Sequence, residues 1–264
     1  MTSGFSDEKK ALDNIKLLAQ SPLRDIVDDI IDYALSSPSP DDALNNIERI
    51  AVSCGDGIRK SQISNLKSLI CLAGASNFLS NILVKNPSNL EYLFLQNGIS
   101  TKKDIDTFSK ELKEVSLESD TETVSLEMAA KALRLYRERE YLRIGARDIL
   151  NLASMEGTTQ ELSDLASSCL DIAYKFCLGK LKNEYGTPVF TDDDGFQKEA
   201  EFAVIGMGKL GGRELNFSSD IDIIYIYSSD KGDTTGGRGQ RSGVSLHAFF
   251  VKLSELVTKL IGQI

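Results

Sequence analysis

Apolar residues recur at helical spacing from Ser6 to about Lys182, one stripe running Leu23, Ile26, Val27, Ile30, Ile31, Ala34 and Leu35. Positions three and four apart share one face of a 3.6-residue helix, so this span predicts a stack of amphipathic helices. Ser21-Pro22 and Ser36-Ser37-Pro38-Ser39-Pro40 interrupt it, because proline lacks an amide hydrogen and clashes with the preceding turn. Thr158-Thr159-Gln160-Glu161 predicts a further helix start, with Thr158 capping the free amides and Glu161 reaching back to close a capping box. The stripe Leu162, Leu165, Ala166, Cys169, Leu170, Ala173 and Tyr174 follows, which makes Cys169, and Cys177 beyond it, core residues.

After Tyr185-Gly186-Thr187-Pro188 the pattern changes to short apolar runs between turns: Val189-Phe190, then Phe202-Ala203-Val204-Ile205, then Ile221 to Tyr227. Asp192-Asp193-Asp194-Gly195 reads as a hairpin turn; it lacks the distal glutamate a calcium loop needs. Glycine-rich Asp230 to Gly243 reads as a mobile loop, and Phe249, Phe250, Leu253, Leu256, Val257, Leu260 and Ile261 predict a closing helix. The expected class is α+β: a large helical region over 1–182, then an incomplete mixed unit over 183–264.

The chemistry-bearing stretch is Phe202 to Tyr227, FAVIGMGKLGGRELNFSSDIDIIYIY. Asp220 and Asp222, two residues apart at the mouth of a strand, project to one face and can share divalent ions. The isoleucines around them predict a buried strand, where an acid pair without a cation is costly. Gly206-Met207-Gly208 leaves backbone amides open to approach, and Lys209 to Leu215 predicts a helix whose amino-terminus favours phosphate. Ser218 and Ser219 add hydroxyl donors, while Lys209 and Arg213 fit either phosphate contact or a helix surface. Gly206, Gly208 and Gly211 also match GxGxxG. A dinucleotide-binding fold, however, needs several βα units after that turn, and it leaves the acid pair unexplained.

Composition narrows the classes. No run approaches the roughly 20 apolar residues of a membrane span, and the opening MTSGFSDEKK lacks a secretion signal, so a cytoplasmic protein without a membrane partner is expected. A formal charge of −9 opposes nucleic-acid binding. The cysteines 54, 71, 169 and 177 form no CxxC pair, and His247 is the sole histidine, which argues against zinc and leaves reduced thiols. His247 itself reads as structural or surface. Arg134, Arg137, Arg139, Arg143 and Arg147, interleaved with Glu138, Glu140 and Asp148, read as a solvated, salt-bridged helix.

The string IGMGKLGGRELNFSSDIDIIYIY closely resembles the signature of the glutamine synthetase adenylyltransferase/adenylyl-removing family. Leu142–Ala166 and Ala73–Phe94 also look like family segments, and the first seventy residues match less distinctly. The resemblance implies a nucleotidyltransferase domain of the DNA polymerase β type, Mg2+ as cofactor, nucleotide (ADP or ATP) and phosphate as ligands, and glutamine synthetase as protein substrate. Asp220 and Asp222 would be the catalytic metal ligands; Gly206, Gly208, Lys209, Arg213, Ser218 and Ser219 would line the nucleotide and phosphate site. The signature is similar to the first of the family's two copies, which implies the adenylyl-removing half. A third acid of the family pattern has no counterpart before Ile264, so a fragment of a longer protein, inactive in isolation, is expected. The alternative is a non-catalytic module docking glutamine synthetase or a nitrogen-signalling regulator.

Overall fold

The computed structural model describes residues 2–60, 65–115, 123–237 and 243–263. Helices fill the first two thirds: α1 (Glu8–Ala19), α2 (Val27–Leu35), α3 (Pro40–Cys54), α4 (Leu66–Ala75), α5 (Asn77–Lys85), α6 (Ser88–Phe94), α7 (Ile105–Glu114), α8 (Leu126–Ile149) and α9 (Met155–Tyr185). Strands β1 (Pro188–Thr191), β2 (Gln197–Glu199) and β3 (Phe202–Gly206) follow, then α10 (Gly208–Gly211), β4 (Ile223–Tyr227), β5 (Asp233–Thr234) and α11 (Leu246–Ile261). The class is α+β. Among the described residues no single helix is long and apolar enough to cross a membrane.

Helices give way to strands between Tyr185 and Pro188, where the hydrophobic period changes. Compactness divides the chain elsewhere: Met1–Lys102 with Glu138–Thr158 form one unit, and Lys103–Arg137 with Thr159–Ile264 form the other. Thus α7, the first half of α8 and nearly all of α9 group with the strands.

In the first unit the helical stripes meet in one core that includes Leu18, Ile30, Leu44, Ile47, Ile70, Leu83 and Leu142. Asn46, fully buried within it, is partnered: its Nδ2 donates to Ala73 O at 2.9 Å and to Asn77 Oδ1 at 2.7 Å. The arginine-rich helix departs from expectation. Arg143 and Glu140 are fully buried and paired at 2.6 Å, and the nearly buried Arg147 donates to Ile99 O. Carbonyls left free outside the regular hydrogen-bond ladders supply acceptors that make burial of these cations tolerable.

The second unit holds two small antiparallel sheets, β2-β1-β5 and β3-β4. Asp192 to Gly195 forms the expected turn, with Asp192 Oδ1 accepting from the amides of Asp194 and Phe196. One face of the β3-β4 pair packs on helices: the Phe202 ring stacks on Tyr174 of α9 at 5.6 Å and on Phe250 of α11 at 5.5 Å. Ser245 caps α11, and His247 lies in its first turn, with Nδ1 2.9 Å from the Tyr227 hydroxyl. Cys169 and Cys177 are buried as expected, and none of the four cysteines is in a disulfide among the described residues.

Two local expectations are corrected here. The start of α9 precedes the proposed capping box: Ser154 Oγ accepts from Gly157 N, Thr158 Oγ1 donates to Asp148, and Glu161 accepts from Lys103 N. The loop read as mobile contains β5, and Thr235 N and Gly236 N donate to Thr187 O and Tyr185 O. Its residues 238–242 lie outside the described residues.

Candidate metal and phosphate site

The site forms where β3 ends and β4 begins. Met207 N donates to Asp222 O at 2.8 Å, which extends the antiparallel pairing one step past the strands. Exposure then alternates with strand period: Asp220 and Asp222 are exposed, Ile221 and Ile223 half-buried. Both carboxylates thus fall on the open side, in line with Ile224 and Ile226, which are 47% and 50% exposed.

This corrects two expectations. The strand begins at Ile223, so the acids precede it, and the face they share is open rather than buried. Desolvation therefore does not demand a cation. What the geometry offers is availability: neither carboxylate has a hydrogen bond or ion pair among the described residues. Two partner-free carboxylates on one side could hold a hard divalent cation such as Mg2+, which favours oxygen ligands. No third His, Cys, Asp or Glu completes a cluster among the described residues.

The glycines are explained by close approach. Gly208 has φ +51°, and a Cβ there would stand 3.2 Å from Asp222 Oδ2. A Cβ on Gly211 would lie 2.5 Å from Gly206 O, so the turn can fold back only without a side chain. The same GxGxxG spacing does not make a dinucleotide fold, because β3 and β4 are antiparallel whereas a βαβ unit needs parallel strands.

The helix expected over 209–215 is one turn, Gly208–Gly211, too short to present a helix dipole to phosphate. It closes as a Schellman motif: Arg213 N donates to Leu210 O and Glu214 N to Lys209 O. Arg213 occupies the left-handed position normally given to glycine, at φ 58°, a conformation costing about 1–2 kcal/mol for a residue with a Cβ. Its Nη2 lies 2.6 Å from Asp164 Oδ1 of α9, so one of its donors is turned to the scaffold.

Beyond it Asn216 Oδ1 accepts from Ser218 N at 3.2 Å and from Ser219 Oγ at 2.7 Å, an Asx turn that sets both serines just before the acids. Lys209 Nζ donates to Ser219 Oγ at 3.2 Å, which brings a cation to the serine pair. The structure thus gathers Gly206, Gly208, Lys209, Ser218, Ser219, Asp220 and Asp222 on the connection 207–222 and its flanks, with Arg213 tied to α9. Sequence reasoning missed Ser163 and Asp164 of α9, polar positions within an apolar helical stripe that hold this connection.

Residues 66–264 match the family profile described as glutamate-ammonia ligase adenylyltransferase. The bifunctional glutamine synthetase adenylyltransferase/adenylyl-removing enzyme of Shewanella loihica is 32% identical over 217 residues, which are 82% of this chain and 21% of that protein. The protein of the same name from Mannheimia haemolytica is 34% identical over 199 residues, 75% of this chain and 19% of its own. That from Alteromonas mediterranea is 38% identical over 150 residues, covering 56% and 14%. The chain spans about a fifth of the length of the first two of these relatives.

Proposed function

The chain belongs to the glutamate-ammonia ligase adenylyltransferase family, and we propose on that premise that it contributes a DNA polymerase β-like nucleotidyltransferase site for adenylyl removal from glutamine synthetase. The observation that carries the reading is the pair Asp220 and Asp222, exposed together and partner-free beside the Gly206–Gly208 turn, Lys209 and Ser219. The adenylyl-removing direction rests on the likeness of the signature to the first of the family's two copies. Glutamine synthetase and a nitrogen-signalling regulator are the protein partners of this reading.

Asp220 and Asp222 would hold Mg2+, which when bound neutralises phosphate charge and stabilises the attacking and leaving oxygens. Lys209 and the hydroxyls of Ser218 and Ser219 supply charge and hydrogen bonds to phosphate oxygens. In phosphorolysis an oxygen of inorganic phosphate bonds to the adenylyl phosphorus, the bond to the tyrosine oxygen breaks, and ADP and the free tyrosine leave. The described residues supply two acids, and oxygen atoms of water and phosphate would fill the other positions around the cation.

The test is phosphate-dependent ADP release from adenylylated glutamine synthetase by the full-length protein, with and without Asp222→Asn. An amide matches the carboxylate in shape but not in charge, so activity should fall by at least about a hundredfold with the fold intact. Near-normal release with an unchanged Mg2+ requirement would leave the span as a docking module.

A further inference from the structure

The connection that carries the acids is gripped from the side by α9. Arg213 is one of three non-glycine residues with positive φ among the described residues, the others being Asn97 and Asn151, a residue type that tolerates this conformation. Arginine does not, and a strained residue persists only where its surroundings impose it. The Schellman closure sets that backbone turn, and Asp164, whose side chain is 6% exposed against 57% for Arg213, holds the arginine that stands there in place of glycine. Its Oδ1 accepts from Arg213 Nη2 at 2.6 Å and from Gln160 Nε2 at 2.9 Å. The neighbouring Ser163 Oγ accepts from Leu215 N at 3.1 Å while donating to Thr159 O at 2.8 Å.

Attachment alone does not need these polar ties, because Leu210 and Leu215, 6% and 1% exposed, already bury the segment. The ties instead set its register. Leu215 is followed directly by the Asn216 turn that places Ser218 and Ser219, and Asp222 is pinned to Met207 at the far end. A connection fixed at its ends by strand pairing and at its middle by two adjacent helix residues leaves Asp220 little freedom.

We infer that Ser163 and Asp164, acting through Leu215 and Arg213, are positioning residues that hold Asp220 and Asp222 in the arrangement that binds a divalent cation. This rests on the metal assignment made above. Arg213 is then a strut rather than a free phosphate ligand, and its contact with Asp164 accounts for an arginine standing where the turn would favour glycine.

Two readouts test this on the 264-residue chain: hydrogen–deuterium exchange of amides 216–222, and Mn2+ binding followed by electron paramagnetic resonance. Asp164→Asn and Arg213→Gly should each speed exchange in that stretch and weaken Mn2+ binding about tenfold, the scale of a lost outer-shell support. Arg213→Gly is the sharper variant. Glycine accepts φ 58° without strain, so the thermal midpoint should hold or rise while Mn2+ affinity falls, a divergence that a purely structural role does not produce. Exchange in α11 should stay at the wild-type level in both variants and report an intact fold. Wild-type exchange at 216–222, or wild-type Mn2+ affinity in both variants, overturns the inference. Asp222→Asn separates the two claims: if it binds Mn2+ as wild type does, the metal assignment itself fails and takes this inference with it.

Discussion

Glu140→Ala should be among the most destabilising single changes in the first unit. Glu140 and Arg143 are both 0% exposed, with Arg143 Nε 2.6 Å from Glu140 Oε2. Arg143 Nη1 donates to Thr101 O at 2.6 Å, Tyr92 donates its hydroxyl to Glu140 Oε1 at 2.9 Å, and Arg139 Nε lies 3.4 Å from the same oxygen. Burial, with Glu140 beside it, pushes the Tyr92 phenol well above its ordinary range, so it stays a neutral donor. Arginine cannot shed its proton at any accessible pH, so removing the carboxylate leaves a buried charge that neutralisation cannot relieve. Breaking one side of such a pair costs about 3–5 kcal/mol, a large part of a total stability of roughly 5–15 kcal/mol. Removing both charges with Glu140→Met and Arg143→Met should cost clearly less than the two single changes added, because no orphan charge remains. Urea unfolding followed by circular dichroism measures all three. A Glu140→Ala cost under about 1 kcal/mol, or a strictly additive double variant, would refute the argument that the pair is a desolvated unit.

Gly211→Ala should lower the thermal midpoint, since its Cβ would sit 2.5 Å from Gly206 O, a backbone atom that moves only with the turn; an unchanged midpoint would show the turn is more pliable than drawn. Stability should fall in acid. Asp41 accepts from the amides of Ser6 and Asp7 at 3.0 and 3.1 Å, which holds its carboxyl below the ordinary 3.8. Its contribution is therefore complete above 3.8 and is lost as pH falls through the lower folded value. Urea midpoints across that range should decline less steeply in Asp41→Asn, and equal slopes would discount the contribution. Burial pushes the Cys177 thiol up to about 12, so mass spectrometry after brief alkylation of the native chain should find Cys177 unlabelled; rapid native labelling would contradict its burial.

Much of this molecule is legible in local sequence because the forces involved are local. The alternation that puts Asp220 and Asp222 on one side needs only a strand's period of two, and the Asp192–Gly195 turn needs only an acid able to accept nearby amides. Reading Ile224 and Ile226 as buried failed for a definite reason. Apolar character on both faces of a strand says that both can be covered, and only packing says which one is.

The misses among buried polar side chains share one cause. Arg143 finds Thr101 O at a separation of 42 residues, Arg147 finds Ile99 O at 48, and Glu161 finds Lys103 N at 58. Asp164 meets Arg213 at 49, and Ser163 meets the Leu215 amide at 52. In each case the polar residue sits in a helical pattern that local rules assign to solvent or to a cap, and the partner that makes burial affordable lies out of their reach. The Thr158–Glu161 capping box shows the competition directly: both side chains are able to cap, and tertiary partners take them instead. An apolar residue declares its preference for the interior by composition alone, whereas a polar residue enters the interior only when a specific donor or acceptor meets it there. Sequence periodicity therefore finds the scaffold and the acid pair, and the side chains that hold the acid pair in place become visible only once distant segments have been brought together.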